Sequence, residues 1–310
     1  MFTTDALYSI TLSILYICIF EKERGFILKQ TNYFNKVILI SIFAALCCAG
    51  TFVQIRMPAG DFVHLGNFVM IVAALLLGGV SGGFVGSLGM GIYDLIFYSD
   101  KPSTIIRTFI LKFIIGFIVG FLFRIIIKKK VNASVWLYVL SGLFGFIFIL
   151  SLIFFILGSK ADFNITSGFN SVYKTHILGK SASIKISLYV PIFSIIFTIF
   201  ALVGGILSYK LTVRQKAVLL SVMVAIFINI LGEFILRWIL EGLLVSDFVT
   251  SFVVATSKIP GSIITGFISI VLSVLVYEPV YRAVKDSPAF HDDTVEESDS
   301  NEIKEELINE

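Results

Sequence analysis

The chain has 310 residues, of which 57% are hydrophobic and only 15% charged, and its mean hydropathy is +0.96. Soluble domains carry about a quarter charged residues, so that class is excluded. A β-barrel is excluded too, because the apolar runs are continuous and do not alternate. The net charge of +3 says little about partners, since the charges segregate between loops.

Apolar runs of about 17–25 residues, the helical length that crosses a bilayer core, recur along the chain. They predict an all-α, polytopic membrane bundle. The first run, 6–20, is short for a span. It lacks a basic stretch before it and a small-residue cleavage site after it, so it does not read as a signal peptide. Basic residues Lys22, Arg24, Lys29 and Lys36 follow. The run 37–53 carries Ala45 and Ala49 one turn apart, a spacing that lets another helix approach closely. The three cysteines, Cys18, Cys47 and Cys48, lie inside apolar runs without metal-ligand spacing and read as packing residues.

The stretch 57–94 organises the rest. It opens on a polar cluster, Asp61, His64 and Asn67, continues as an apolar run to Leu77, and breaks at the glycine-rich segment 78–83. A second, glycine-rich apolar run ends on Tyr93-Asp94. Two spanning runs joined so tightly form a hairpin, with the polar cluster and Asp94 side by side at its far end. Pro102 stops one helix, and Ser103 or Thr104 can cap the next. That next helix, 105–127, holds Arg107 and Lys112 and ends on Lys128-Lys129-Lys130.

Spans 135–157 and 188–207 flank a polar stretch, 158–185, whose structure is not readable. The span 217–240 carries Asn229, Glu233 and Arg237 on one face, with Trp238 beside them. The last span, 252–277, is interrupted by Lys258-Ile259-Pro260-Gly261, so Lys258 and Ser262 open a helix whose N-terminus favours acceptor groups. The acidic tail 284–310 reads as disordered or a frayed helix. Counting nine spans puts Lys22 to Lys36, Lys128–Lys130, Lys210/Arg214/Lys216 and Arg282/Lys285 on one side, which is the cytoplasmic side by the basic-residue rule. The C-terminus then lies inside, in a bacterial-type plasma membrane. Lysines in the 158–186 loop run mildly against this.

Particular residues resemble a known family. The Ala45-x-x-x-Ala49 helix, the Val63-His64-Leu65-Gly66-Asn67 segment and the glycine hairpin through Gly78, Gly82, Gly83, Gly86 and Gly89 to Asp94-Leu95 form one part of the likeness. Lys112 with Gly116 and Gly120, and Ile259-Pro260-Gly261-Ser262, form the other. Together they resemble the substrate-binding S components of energy-coupling factor (ECF) vitamin transporters, above all the riboflavin-type subgroup. The likeness covers 37–130 well and 215–283 moderately.

The resemblance implies a six-helix core. Residues 37–130 would supply four core helices and 211–283 the last two. Residues 131–210 would be an inserted helical hairpin and 1–36 an extra N-terminal apolar run with a basic linker. It implies a high-affinity capture subunit, not an enzyme, that takes up a vitamin or related metabolite with no cofactor, metal or catalytic residue. A separate membrane scaffold and two ATPase subunits would complete the transporter, with Ala45 and Ala49 meeting the scaffold and 54–61 acting as a lid. The chain itself has no phosphate-binding G-x-x-x-x-G-K-[ST] segment.

Candidate substrate contacts are the polar groups that a membrane interior tolerates only for a reason: Asp61, His64, Asn67, Asp94, Arg107, Lys112, Asn229, Lys258 and Ser262. Lys112 could instead pair with Asp94 or Glu233, Arg107 could snorkel to the interface, and Glu233 could neutralise Arg237, leaving Asn229 free for a ligand. The competing class is a self-sufficient secondary carrier, but no internal repeat supports it. The substrate's identity is not readable: a set of both charge signs plus amides suits a zwitterionic or neutral heterocycle, and the resemblance implies a flavin- or pyrimidine-type vitamin, though another metabolite fits equally.

Overall fold

The computed structural model describes residues 34–56, 62–160, 189–245 and 248–284. The run 6–20, Cys18, Asp61, most of the 158–186 loop and the tail from 285 lie outside the described residues.

Helix α1 covers Phe34–Phe52. A two-stranded antiparallel hairpin follows, β1 (Gln54–Arg56) and β2 (Phe62–His64), in the register Gln54↔His64, Ile55↔Val63, Arg56↔Phe62. Then come α2 (Gly66–Leu77), α3 (Gly79–Phe97), α4 (Pro102–Lys128), α5 (Ala133–Lys160), α6 (Tyr189–Leu207), α7 (Val213–Leu244), α8 (Phe248–Ser257) and α9 (Ile259–Val284). Among the described residues, six helices are long and apolar enough to cross a membrane.

The expected hairpin of two full spans is only partly what the chain makes. Helix α2 has 12 residues, about 18 Å of rise, against a core of about 30 Å. The residues before it fold back as the β-hairpin and cover the end of the bundle. The glycine break is also shorter than its sequence suggests. Gly78 alone turns the chain, at φ +91°, where a side chain would be strained. Gly79 to Gly83 are helical. They stay helical because bare backbone packs there: a Cβ on Gly116 would come 2.5 Å from Gly82 backbone, and one on Gly82 would come 2.2 Å from Ala74 Cβ.

Pro102 is the first residue of α4, and its N-cap is Lys101, so neither Ser103 nor Thr104 caps the helix. Proline fits that position because its missing N–H would have no helical partner. Helix α7 begins on a reciprocal cap: Thr212 Oγ1 accepts from Gln215 N–H (3.2 Å) and Gln215 Oε1 from Thr212 N–H (3.0 Å). The core sits among α2, α3, α4, α7 and α9, with Met70, Ile71, Val85, Ile115, Val119, Met223, Ile226 and Ile270 fully buried. Helices α5 and α6 pack mainly on each other and reach the core through α7, where Phe144 meets Phe227 edge-on at 5.0 Å.

The two ends of the bundle differ. Lys36, Arg124, Lys128 and Lys129 meet at one end. Phe123 packs on Tyr277 (5.4 Å) and Arg214 over Tyr281 (4.3 Å) among the neighbouring helix ends. At the opposite end α3 finishes, α4 and α9 begin, and a polar cavity opens.

Candidate functional site

The cavity is about 380 Å³, within the size range of small-molecule sites. Its cover is the β-hairpin. Leu65 N–H donates to Gly50 O (3.1 Å), tying the hairpin to α1. Phe52 packs edge-on against Tyr93 (5.1 Å) and Phe97 (5.2 Å), and Phe62 lies 6.4 Å from both Tyr93 and Tyr98. These rings clamp the hairpin to the end of α3.

His64 holds the junction between β2 and α2. Its Nδ1 accepts from Gly66 N–H at 3.1 Å, which fixes that nitrogen as unprotonated. Burial first, then the nearby Lys112 ammonium, push the imidazole down to about 3, against a smaller opposing pull from Glu233. His64 is therefore neutral at physiological pH. Gly66 is required here: a Cβ would come 2.4 Å from Thr51 Oγ1 and 3.0 Å from His64 Nδ1.

Beneath the cover, α4 and α7 face each other through an ionic lattice. Lys112 Nζ donates to Asn229 Oδ1 (3.0 Å) and Glu233 Oε1 (3.2 Å). Arg107 Nε lies 3.2 Å from Glu233 Oε2, and its Nη1 3.8 Å from Glu241 Oε1. Arg237 reaches the same two carboxylates at 3.7 Å and 3.5 Å. The pattern follows from helical spacing: residues 229, 233, 237 and 241 repeat every fourth position and so share one face of α7. Arg107 and Lys112 are each 5% exposed. Charges so buried are tolerated because they are paired.

The structure thus decides three alternatives that the sequence leaves open. Arg107 does not snorkel; it is buried against Glu233. Lys112 pairs with Glu233, while Asp94 accepts from Thr108 Oγ1 at 2.5 Å. Asn229 is not left free, since Lys112 uses its carbonyl oxygen. Asn67 is the contrast: it is 3% exposed, it lines the cavity, and its Oδ1 has no hydrogen-bond partner among the described residues.

Of the residues singled out from sequence, His64, Asn67, Asp94, Arg107, Lys112, Asn229, Lys258 and Ser262 all line this cavity. Asp61 lies outside the described residues. Sequence reasoning missed Thr51, Phe62, Tyr98, Thr108 and Thr265, which also line it. Thr108 carried a faint signal, a hydroxyl between Arg107 and a wholly apolar stretch; the rings carried none. Trp238 packs edge-on against Phe252 (5.2 Å) between α7 and α8 and does not line the cavity. Ala45 and Ala49 lie exposed on α1, away from the site, whereas Ala44 is buried. Among the described residues no group of three His, Cys, Asp or Glu side chains is placed to hold a metal ion.

These features define a multi-pass α-helical membrane protein with a covered polar cavity at one end. A family model described as "ECF-type riboflavin transporter, S component" matches residues 31–187, and the chain belongs to that family. It is a transporter's substrate-capture component for vitamin uptake, not an enzyme, and membership implies scaffold and ATPase partners. The match runs from α1 through α5 and so includes the cover, the glycine hairpin, Arg107 and Lys112. Neither a curated protein nor a solved structure matches the chain.

Proposed function

We propose that the cavity under the β-hairpin is the capture site, that its ligand is a flavin-type vitamin, and that Asn67, Arg107, Lys112, Asn229, Lys258 and Ser262 contact it with His64 and Asp94 shaping the cover. The observation that carries this reading is the convergence on one cavity of polar residues from β2, α2, α3, α4, α7 and α9. A flavin suits the lining. It presents carbonyl and ring-nitrogen acceptors, and the cavity offers five cationic side chains, Lys101, Arg107, Lys112, Arg237 and Lys258, against three acids, Asp94, Glu233 and Glu241. The Phe62 and Tyr98 rings offer a planar ligand apolar surface at the rim.

In this reading the cavity end faces outside and the basic end faces the cytoplasm, which places the C-terminus inside. Helices α1 to α4, α7 and α9 form the six-helix core, and α5–α6 is an inserted pair. The exposed faces of Ala45 and Ala49 meet a membrane scaffold subunit that carries two ATPases.

The test is flavin titration of the purified protein, followed by quenching of flavin fluorescence. Riboflavin should bind one to one. Asn67→Ala and Lys112→Met should each weaken it about tenfold or more, the cost of removing a buried hydrogen bond or charged donor. Absence of riboflavin binding to the wild type would overturn the substrate. In co-purification from native membranes, Ala45→Trp with Ala49→Trp should lose the ATPases while keeping flavin binding. Retention of the ATPases would overturn the interface.

A further inference from the structure

A second cavity, about 400 Å³, lies at the opposite end of the bundle around the Gly78 turn. Its charged lining residues are Lys36, Arg124, Lys128 and Lys129, and no acidic residue lines it among the described residues. The capture cavity sets three carboxylates against its five cations; the described lining of this one holds no carboxylate. The backbone adds to the imbalance. Helix α3 starts here on Gly78 with no side-chain cap and no acid in its first turn, so the positive end of its dipole joins the cations. The Arg124 guanidinium lies directly against that helix end: a Cβ on Gly78 would come 2.6 Å from it. So much positive charge gathered around one opening favours an anion there.

The walls say which anion. Phe117 and Phe121 line the cavity and stack on each other at 5.5 Å. They are 37% and 49% exposed, and Val80 and Phe84 on α3 are 55% and 46% exposed beside them. An apolar strip therefore leads out of the basic cavity along the exposed surface of α3 and α4. A small free anion would use only the basic end. A molecule with a negative head and hydrocarbon chains would use both parts.

We propose that the basic cavity at the Gly78 turn seats the phosphate of an anionic phospholipid, whose acyl chains lie along Phe117, Phe121 and Val80. Basic pockets between helix ends at a membrane surface are suited to such headgroups, and each lysine near anionic lipid contributes about a fivefold preference. The site is separate from vitamin capture and does not depend on the identity of the vitamin.

The test is native mass spectrometry of the full chain, released from nanodiscs of equal phosphatidylglycerol and phosphatidylcholine. Wild type should retain phosphatidylglycerol at least about fivefold over phosphatidylcholine. Lys36→Gln/Lys128→Gln/Lys129→Gln should bring the ratio close to one, while the Lys→Arg versions of the same three should keep it. Lys210→Gln, a basic residue at the same end but outside the cavity, should leave it unchanged. Circular dichroism of each variant separates loss of the site from loss of fold. An unchanged ratio in the triple Gln variant, or an equal fall in Lys210→Gln, would overturn the proposal. Competition by millimolar inorganic phosphate as effective as that by the lipid would overturn the role of the acyl chains.

Discussion

Helices α2, α3 and α4 and the pair α5–α6 are both rich in glycine, yet the residue does different work in each. In the first group glycine is a contact. A Cβ on Gly120 would come 2.3 Å from Gly79 N and 2.6 Å from Ala74 O, and one on Gly79 would come 2.5 Å from Phe117 O. In the pair, a Cβ on Gly142 meets nothing within 4 Å and one on Gly145 finds only Thr198 at 3.6 Å, while those on Gly204 and Gly205 would meet side chains, Leu219 Cδ2 at 2.7 Å and Tyr138 Cε1 at 2.8 Å, not backbone. The first group is locked backbone to backbone; the second is held by rings such as Phe144 and Phe197, 5.1 Å apart. Glycine in a membrane sequence is thus ambiguous until its neighbour is known. The rigid group is the one that carries Asn67, Asp94, Arg107 and Lys112.

The sharpest way to break this contrast is Gly120→Val. The new side chain has to displace α3 backbone, so the variant should fail to give a monodisperse folded protein on size exclusion. Next is Glu233→Gln, which removes the carboxylate shared by Arg107, Lys112 and Arg237. Stripping one partner from a buried ionic group costs about 3–5 kcal/mol, read as a large fall in melting temperature. Thr108→Val takes the hydroxyl from Asp94 and should cost about 1.5–3 kcal/mol, the value of a bond to a charged acceptor. Its counterpart in α5, Ser141→Ala, loses only a neutral bond to Thr198 O (3.2 Å) and should cost about 0.5–1.5 kcal/mol.

Acid should act on the cover through His64. His64 stays neutral in the folded state down to about 3 but takes a proton near 6.5 when unfolded. Between those values the unfolded chain binds more protons, so this contribution to stability falls as pH is lowered from 6.5 towards 3. Melting at pH 7 and pH 5 should show the drop, and His64→Asn, which keeps an acceptor for Gly66 N–H, should flatten it. The smallest effect is Gly142→Ala, which should leave folding intact and raise stability by about 0.5–1 kcal/mol through helix propensity alone. A loss there would show that the space beside Gly142 is filled.

Which parts of this were legible beforehand follows from the same physics. Lys112, Arg107, Asn229 and Asn67 stand out because charge and amide groups are rare inside apolar runs and need a reason to be there. Their convergence on one cavity was readable as an end-of-bundle placement, from Asp94 closing one helix and Lys258 opening another. Their pairing was legible in part: the sequence offers Glu233 as a partner for Lys112 and for Arg237, but only the packing of α4 on α7 selects Glu233 over Asp94 for Lys112 and brings Arg107 to the same carboxylate. The glycine turn was over-read because glycine signals a break in isolation and a close helix contact in a membrane. Pro102 was read as a stop when its place in the first turn makes it a start. Phe62 and Tyr98 were invisible because aromatic rings are unremarkable in such a chain; only the fold places them at the rim.

The one-residue corner at Gly78 has a mechanical consequence. With α2 and α3 joined by a single residue and meshed through Gly82 and Ala74, neither can slide along the other. A close-packed interface of this kind transmits displacement instead of absorbing it. A push on α2 at the covered cavity is therefore shared with α3 and not taken up by sliding between them.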